Sequence, residues 1–296
     1  MRDALRISGL AYMTLAVSST IVAAVLLLPT FIVVPMSFSD GVLLEFPPKH
    51  WSLRWWQQLY HAPDWMGAIK LSVILALSTS LVAVPLAAMA AQVGADAGER
   101  ARAIVHRILV APLVVPSILV GTGLFFLYAR LFINGTFGGL LVGHVLMATP
   151  AAYMVLRPAF AGFDSGQYHA ARSLGASAFQ AWRLVVVPQL RLSFLAATLL
   201  AFLTSLDEVI ISVLVGGGHN TTITKIMFES LRDRIDPMTA VVSTAWTLLV
   251  VSVLAVVRLS ALDPQEPVAG VKPQWSGGQG RVRAHRSALN SGIREK

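Results

Sequence analysis

The residues best placed to do chemistry in this sequence are two adjacent carboxylates, Asp207 and Glu208, inside an otherwise apolar stretch. An ionised carboxylate is costly in hydrocarbon, so such a residue normally faces a partner or a water-filled cavity. Neighbours on one helix project about 100° apart, so we expect only one of the two to face a narrow pathway. We assign Asp207 to the pathway, where it would suit an amine cation, and a structural partner to Glu208. The alternative, that both acids only pair with helix termini or neighbouring side chains, stays open.

Other residue patterns that could support catalysis or metal binding are missing from the sequence. His144 is a lone imidazole in an apolar stretch, and we expect it to make a hydrogen bond between helices. The chain has no cysteine, which excludes a disulfide framework, a thiolate metal site and a cysteine nucleophile. It also has no Gly-x-x-x-x-Gly-Lys-Ser/Thr phosphate loop, no His-Glu-x-x-His and no Gly-x-Ser-x-Gly. We therefore predict that this chain is not an enzyme and binds no cofactor or metal, and that another chain hydrolyses any ATP.

The composition places these residues in a membrane protein. Of 296 residues, 55% are hydrophobic and 13% are charged, whereas a soluble domain carries about 25% charged residues. The formal net charge is +8, so the positions of the basic residues decide what that charge means. The high hydrophobic fraction and the low charged fraction together exclude an ordinary water-soluble protein.

Six nearly uncharged stretches are long enough to cross a bilayer, because a helix spanning ~30 Å of hydrocarbon needs roughly 20 apolar residues. The first stretch is much longer than the apolar core of a signal peptide, so we interpret it as a retained helix. We expect a transmembrane domain over 11–259, an N-terminal segment over 1–10 and a disordered tail over 260–296. The predicted spans are 11–36, 67–93, 108–129, 135–156, 192–215 and 237–259.

The basic residues indicate the orientation of these spans, because short loops rich in Lys and Arg stay in the cytoplasm. With the N-terminus inside, 16 of the 23 Lys and Arg residues are on the inner side and 7 on the outer side. Both termini are therefore predicted to be cytoplasmic, and the positive charge indicates contact with anionic lipid and not with nucleic acid. The outer loop after the first span carries five aromatic residues that suit a membrane-water boundary: Trp51, Trp55, Trp56, Tyr60 and Trp65.

The loop between the fourth and fifth spans contains two signals for the start of a helix. Asp164 is followed three residues later by Gln167, and Ser177 by Gln180, which is the spacing of a capping box. Gly175 lies between the two pairs and suits the left-handed residue that ends a helix. We predict two short helices that meet at a glycine corner.

Helices this short have too little apolar surface to be stable alone, so they must pack against something. Ala170, Ala171 and Leu174 share one side of the first helix, and their small size allows another surface to approach closely. From periodicity alone, that surface is either another protein or the chain's own membrane helices.

At these residues the sequence resembles the membrane-spanning permease subunits of binding-protein-dependent ABC importers. The signature of that family is a cytoplasmic loop with a Glu-Ala-Ala start, a Gly four residues after the second Ala, and a later Leu-Pro. The resemblance implies that 165–187, within the loop 159–191, is the coupling helix that sits in a groove of a separate ATPase subunit. His169 stands where the family has an acid. The residues that match the ATPase-coupling motif are His169, Ala170, Ala171, Leu174 and Gly175, followed by Val187-Pro188.

The resemblance extends over most of 60–260, and the stretches 204–212, 216–224 and 230–240 look like the spermidine/putrescine subgroup. It implies an all-α integral membrane protein of the bacterial inner membrane, with six transmembrane helices like a type I ABC importer permease. It further implies ATP-driven import of polyamines or related small organic solutes. The implied partners are ABC ATPase subunits, a second permease subunit of different sequence, a periplasmic or lipid-anchored solute-binding protein, and membrane lipid.

Four other functions stay open at this stage. The chain could be an ion-coupled secondary transporter, or an ABC permease for a solute other than a polyamine. It could also be an intramembrane hydrolase that uses a serine with His144 or Asp207. The fourth possibility is a membrane scaffold without transport activity.

Overall fold

The computed structural model describes residues 9–96, 98–233 and 236–261. The chain divides into two units, residues 1–251 and residues 252–296, and the second is described only over the last turns of its helix. The predicted N-terminal segment 1–10 and tail 260–296 lie almost entirely outside the described residues. The helices are α1 Gly9–Met36, α2 Arg54–His61, α3 Pro63–Asp96, α4 Glu99–Val114, α5 Ser117–Leu131, α6 Phe137–Ala161, α7 Ser165–Ser173, α8 Ala178–Ala181, a π-helical turn Trp182–Val186, α9 Val187–Gln189, α10 Arg191–Asp207, α11 Ile210–Val215, α12 Ile223–Asp233 and α13 Met238–Ala261.

The membrane spans account for most of these helices. In the described part of the chain, α1, α3 and α6 are each long and apolar enough to cross a membrane. Two bent pairs, α4 with α5 and α8–α9 with α10, bring the number to five if each pair is one span, and the described apolar part of α13 is shorter. The predicted all-α membrane fold is confirmed, because no β-strand occurs in the ranges that the structure describes. The predicted count of six is reached when α13 is added to these five.

Small residues form the contact between the central helices α3, α6 and α10. Lipid is as apolar as leucine, so membrane helices gain little from burying apolar area against each other and instead pack closely through small side chains. These three helices make the most extensive contacts of the fold. The buried alanines in their shared core are Ala83, Ala87, Ala88, Ala91, Ala148, Ala152, Ala197 and Ala201.

The predicted span 108–129 contains a sharp break, because the chain forms two helices there. α4 and α5 meet at an angle of 95°. Val115 has φ −78° and ψ 129°, which is extended backbone, and it precedes Pro116. A proline disfavours helical geometry in the residue before it and has no N–H to donate, which explains a break at this position.

The predicted span 192–215 is also interrupted. α10 ends at Asp207, and the short helix α11 begins only at Ile210. A second bend, of 84°, separates α9 from α10 at Leu190. The predicted span 192–215 therefore consists of two helices, α10 and α11, and the bend at Leu190 separates it from α9.

The two segments predicted on the outer side, 37–66 and 216–236, pack together. Trp55 and Trp65 are buried in one cluster with Ile223 and with Val241 of α13, and the Trp55 indole N–H donates to the carbonyl oxygen of Gly41 at 2.9 Å. Two of the five aromatic residues expected at the membrane-water boundary are thus core residues. Trp51 and Tyr60 remain exposed.

Candidate functional site

The corner after α7 is closed by its own backbone. Gly175 has φ +92°, the left-handed geometry that suits glycine. Its N–H donates to the carbonyl oxygen of Arg172 at 3.1 Å, and the N–H of Ala176 donates to that of Ala171 at 3.1 Å. This pair of hydrogen bonds is the Schellman motif, which satisfies the last carbonyl groups of a helix. The predicted glycine corner is confirmed.

The second helix of the corner starts with the predicted capping box. The Gln180 N–H donates to the Ser177 hydroxyl at 3.2 Å, and the Ser177 N–H donates to the Gln180 side chain at 2.7 Å. The capping box predicted at Asp164 is only half right. Asp164 accepts from the N–H of Gly166 at 2.9 Å, but the side-chain oxygen of Gln167 accepts instead from Gln189, 22 residues away, at 2.6 Å.

The corner presents apolar side chains to the outside. Leu174 is 89% exposed, and Phe179 and Leu184 are exposed as well. No residue of α7 is buried, Ala170 and His169 are exposed, and Ala171 is half-buried. The interpretation in which this side covers the chain's own membrane helices is therefore wrong for Ala170 and Leu174.

One side-chain hydrogen bond connects the corner to a span, a second joins α7 to α9, and a π-helical turn lies between α8 and α9. The Trp182 indole N–H donates to the Gln92 side chain of α3 at 3.1 Å, and Gln189 donates to Gln167. In the turn Trp182–Val186, the N–H of Val187 donates five residues back to the carbonyl oxygen of Trp182. Pro188 follows directly and has no N–H, so one backbone hydrogen bond of the helix is missing there. A helix that lacks such a bond commonly forms a π-helical turn. The corner is thus attached to α3 through Trp182, and its two sides are joined to each other through Gln167 and Gln189.

The acidic pair lies at the break between α10 and α11. Asp207 is the last residue of α10 and is exposed, whereas Glu208 is half-buried with extended backbone, φ −74° and ψ 103°. The expected separation of about 100° on one helix is wrong, because the helix ends between the two residues. The Glu208 carboxylate accepts from the N–H of Ile211 at 3.0 Å, in the first turn of α11.

Glu208 also serves as an acceptor through its backbone. Its carbonyl oxygen accepts from the hydroxyl of Ser212 at 2.8 Å and from that of Thr224 at 3.2 Å. These bonds replace helical partners that the break removes, since an unpaired carbonyl group is costly in an apolar environment. The break is therefore a stabilised feature of the fold.

His144 joins the two sides of this break. Its ring is 1% exposed. Nδ1 lies 2.9 Å from the hydroxyl of Ser205 on α10, and Nε2 lies 3.2 Å from that of Ser212 on α11. Ser205 further bonds Thr79 of α3 at 3.3 Å. The predicted hydrogen bond between helices is confirmed, and it extends into a buried network across four helices.

α11 is held between its neighbours by close packing and by a cation. A Cβ on Gly143 would lie 2.6 Å from Cγ2 of Ile211, so α11 rests directly on the backbone of α6. Lys225 donates through Nζ to the carbonyl oxygen of Gly216 at 2.7 Å, just beyond the last residue of α11. A cation suits the negative end of a helix. Sequence reasoning missed Ser205, Ser212 and Lys225, because their partners are distant in sequence or are backbone atoms.

The two predicted sites are not brought together. The corner and the acidic break lie at opposite ends of α10, which has 17 residues and is therefore roughly 25 Å long. Among the described residues, no three His, Cys, Asp or Glu side chains lie close enough to hold a metal ion together. The arrangement can bind a protein at one end and a polar or cationic solute at the other.

Similar proteins are permeases of two polyamine systems. The putrescine transport system permease protein PotI of Escherichia coli (strain K12) is 28% identical over 221 residues, which cover 71% of this chain and 76% of the relative. The spermidine/putrescine transport system permease protein PotC of Haemophilus influenzae is 28% identical over 243 residues, which cover 82% of this chain and 93% of the relative.

The fold is similar to that of a solved bacterial ABC transporter involved in the import of the acidic polysaccharide alginate. The match has a TM-score of 0.63 and 15% identity, and it covers 84% of this chain and 94% of that chain. Residues 83–265 match the family model of the binding-protein-dependent transport system inner membrane component. Because this match covers more than half of the sequence, the chain belongs to the family of inner membrane components of binding-protein-dependent transport systems.

Proposed function

We propose that this chain is the permease subunit of an ATP-driven importer for polyamines or related small organic cations. The curated relatives named above include permeases of putrescine and of spermidine/putrescine systems. The exposed carboxylate of Asp207 suits an amine cation by charge and by hydrogen bonding. The observation that carries the proposal is the self-capped corner at Gly175, from which an apolar side chain projects without a partner in the described chain.

The corner is the proposed contact with the ATPase. An exposed apolar group surrounded by small residues is typical of a surface that another protein covers. Leu174 would enter the groove of the ATPase, Ala170 and Ala171 would allow its surface to come close, and Gly175 would keep the two short helices at a fixed angle. His169 provides an imidazole where the family signature has an acid, so its partner in the groove would be an acceptor or an acid.

The same corner would transmit movement to the pathway. Two ATPase subunits would close when they bind ATP and would move the corner with them. The movement would reach α3 through the hydrogen bond of Trp182 to Gln92. A conformational equilibrium shifts only by the difference in affinity of what binds, so the ATPase must hold one state more tightly. This chain would bind no cofactor itself, and the ATP is used by its partner.

The remaining partners follow from the exposed surfaces. A solute-binding protein would deliver solute to the packed outer segments 37–66 and 216–236. A second permease subunit, of different sequence, would face Asp207, which is exposed on this chain alone. With the corner on the ATPase side, both termini are cytoplasmic and the protein is a multi-pass component of the inner membrane.

A cross-linking experiment tests the proposed contact. Since the chain has no cysteine, Leu174→Cys introduces a single thiol, and we expect it to cross-link to the candidate ATPase subunit. Phe132→Cys is the matched control, because Phe132 is 91% exposed but lies at the other end of the fold, after α5. A cross-link from residue 132 and none from residue 174 would contradict the proposal.

Uptake into proteoliposomes tests the transport function. Vesicles containing this chain, its ATPase and the second permease should accumulate putrescine or spermidine when the binding protein and ATP are supplied. Uptake that follows an ion gradient without ATP would instead indicate a secondary transporter. ATP-dependent uptake of another solute, without uptake of polyamines, would support the importer function and contradict the proposed substrate.

A further inference from the structure

The hydrogen bonds around His144 form a chain, and the last member of the chain fixes the direction of the others. The members, in order, are Ser205 of α10, His144 of α6, Ser212 of α11 and the backbone carbonyl group of Glu208. Neighbouring members lie 2.9, 3.2 and 2.8 Å apart. A carbonyl oxygen can only accept a hydrogen bond, so the Ser212 hydroxyl must donate to Glu208.

The direction of this last bond decides which ring nitrogen of His144 carries a hydrogen. A serine hydroxyl has a single hydrogen, and on Ser212 that hydrogen points to the carbonyl oxygen of Glu208. The bond between Ser212 and the ring therefore needs a hydrogen on Nε2. A neutral imidazole has one N–H, so Nδ1 is an acceptor and receives the hydrogen of the Ser205 hydroxyl.

The surroundings of the ring favour its neutral form. The residue is 1% exposed, and it makes no ion pair with a carboxylate in the described part of the chain. A cation buried in a membrane span without such a partner is costly. The Ser205 hydroxyl also faces Thr79 at 3.3 Å, but its bond to Nδ1 is shorter, at 2.9 Å. The hydrogen of Ser205 therefore serves mainly the ring.

The chain of hydrogen bonds bridges the acidic break. Ser205 lies two residues before Asp207, and Ser212 lies four residues after Glu208. The imidazole thus holds the end of α10 through Nδ1 and the first turn of α11 through Nε2. It connects the two helices at the point where the backbone between them is not helical. The angle between the helices depends on this bridge.

We propose that His144, as its Nε2–H tautomer, is a positioning residue for transport, because it fixes the angle at the break and therefore the direction in which Asp207 projects. The part that concerns transport rests on the proposed pathway role of Asp207, whereas the tautomer and the bridge do not. The bridge needs all its members. A buried donor or acceptor that loses its partner retains the full cost of desolvation.

Nitrogen NMR of the isolated chain in lipid bilayers tests the tautomer. An isotope-labelled ring of His144 should show one protonated and one unprotonated nitrogen, and couplings to the ring C–H protons should assign the hydrogen to Nε2. Through-space contacts to Ser205 and Ser212 identify this ring among the seven histidines, so the measurement needs no variant. A hydrogen on Nδ1, on both nitrogens, or exchanging between them would overturn the inference.

Uptake kinetics test the positioning role. Ser212→Ala should raise the apparent KM for polyamine uptake by about fivefold, the order expected for a lost buried hydrogen bond, and should change the maximal rate less. Its matched control is Ser80→Ala, because the Ser80 hydroxyl is also buried but donates to Leu77 within its own helix, at 2.9 Å. The control should leave KM unchanged. An unchanged KM in Ser212→Ala would overturn the positioning role.

A double variant separates positioning from general support of the fold. If the bridge acts by orienting Asp207, adding Ser212→Ala to Asp207→Asn should raise KM no further than Asp207→Asn alone. If the two increases multiply instead, the residues act independently and the positioning role is wrong. If Asp207→Asn itself leaves KM unchanged, the proposed pathway fails and the positioning role fails with it, while the NMR measurement still decides whether the bridge exists.

Discussion

At the scale of single residues, the acidic pair shows how a local rule can be correct and still not apply. The sequence places Asp207 and Glu208 side by side, and helix geometry then separates them by about 100°. In the fold the helix ends between them, and Glu208 bonds Ile211, Ser212 and Thr224. No proline or glycine marks this break, so no signal near it in the sequence could have revealed it. Its cause is a set of partners on α11 and α12.

Asp207→Asn tests the residue that faces outward from this break. The substitution keeps the size and removes the charge, so the apparent KM for polyamine uptake should rise by about tenfold, equivalent to ~1.4 kcal/mol, typical for a lost hydrogen bond to a charged group. The maximal rate should change less. Asp233→Asn, at the end of α12 where the carboxylate is exposed, is the matched control and should leave KM unchanged. An unaltered KM in Asp207→Asn would contradict the assignment of Asp207 to the pathway.

At the scale of elements, the corner was predictable and the bends were only partly so. The signals at the corner act over three or four residues: Ser177 with Gln180, and a left-handed Gly175. The bend at Pro116 also has a local cause, which a hydropathy pattern alone does not reveal. Gln167 departs from its expected role because Gln189, distant in sequence, offers a competing partner. Local chemistry thus predicts caps, whereas packing between helices decides where a span breaks.

Gly175→Ala tests the corner as a mechanical element. A side chain at φ +92° costs about 1–2 kcal/mol, so the two short helices should lose their fixed angle. We expect ATP-driven uptake to fall several-fold, while ATP hydrolysis by the complex becomes less dependent on the binding protein. Gly138→Ala is the control, because Gly138 lies in α6 with open space around its Cα, and alanine there favours the helix. Equal, tightly coupled uptake in both variants would contradict a lever at the corner.

At the scale of the whole molecule, hydropathy predicts the spans because backbone groups in the bilayer must be paired within the protein, and a helix pairs most of its own. It does not predict which helices meet. The contact of α3, α6 and α10 depends on alanines such as Ala87, Ala152 and Ala201 that lie on facing sides. Alanine is common enough in membrane helices that a single sequence does not distinguish a packed side from one that faces lipid.

The orientation of the whole chain is testable with the two cysteine variants already described. In intact cells whose outer membrane is permeable, a charged maleimide should label Phe132→Cys at once. Leu174→Cys should react only after the inner membrane is opened, because most Lys and Arg residues lie on that side. Labelling of residue 174 in intact cells would reverse the topology, and with it the assignment of the corner to the ATPase.

The closed hydrogen bonding of the corner also matters during biogenesis. Since the turn at Gly175 satisfies its own carbonyl and N–H groups, the backbone of the corner can keep its shape before any other protein covers it. The exposed apolar side chains of Leu174, Phe179 and Leu184 stay uncovered in that state. If the proposed ATPase binds there, the two proteins could be synthesised at different times, because the surface that the ATPase must recognise is formed by this chain alone.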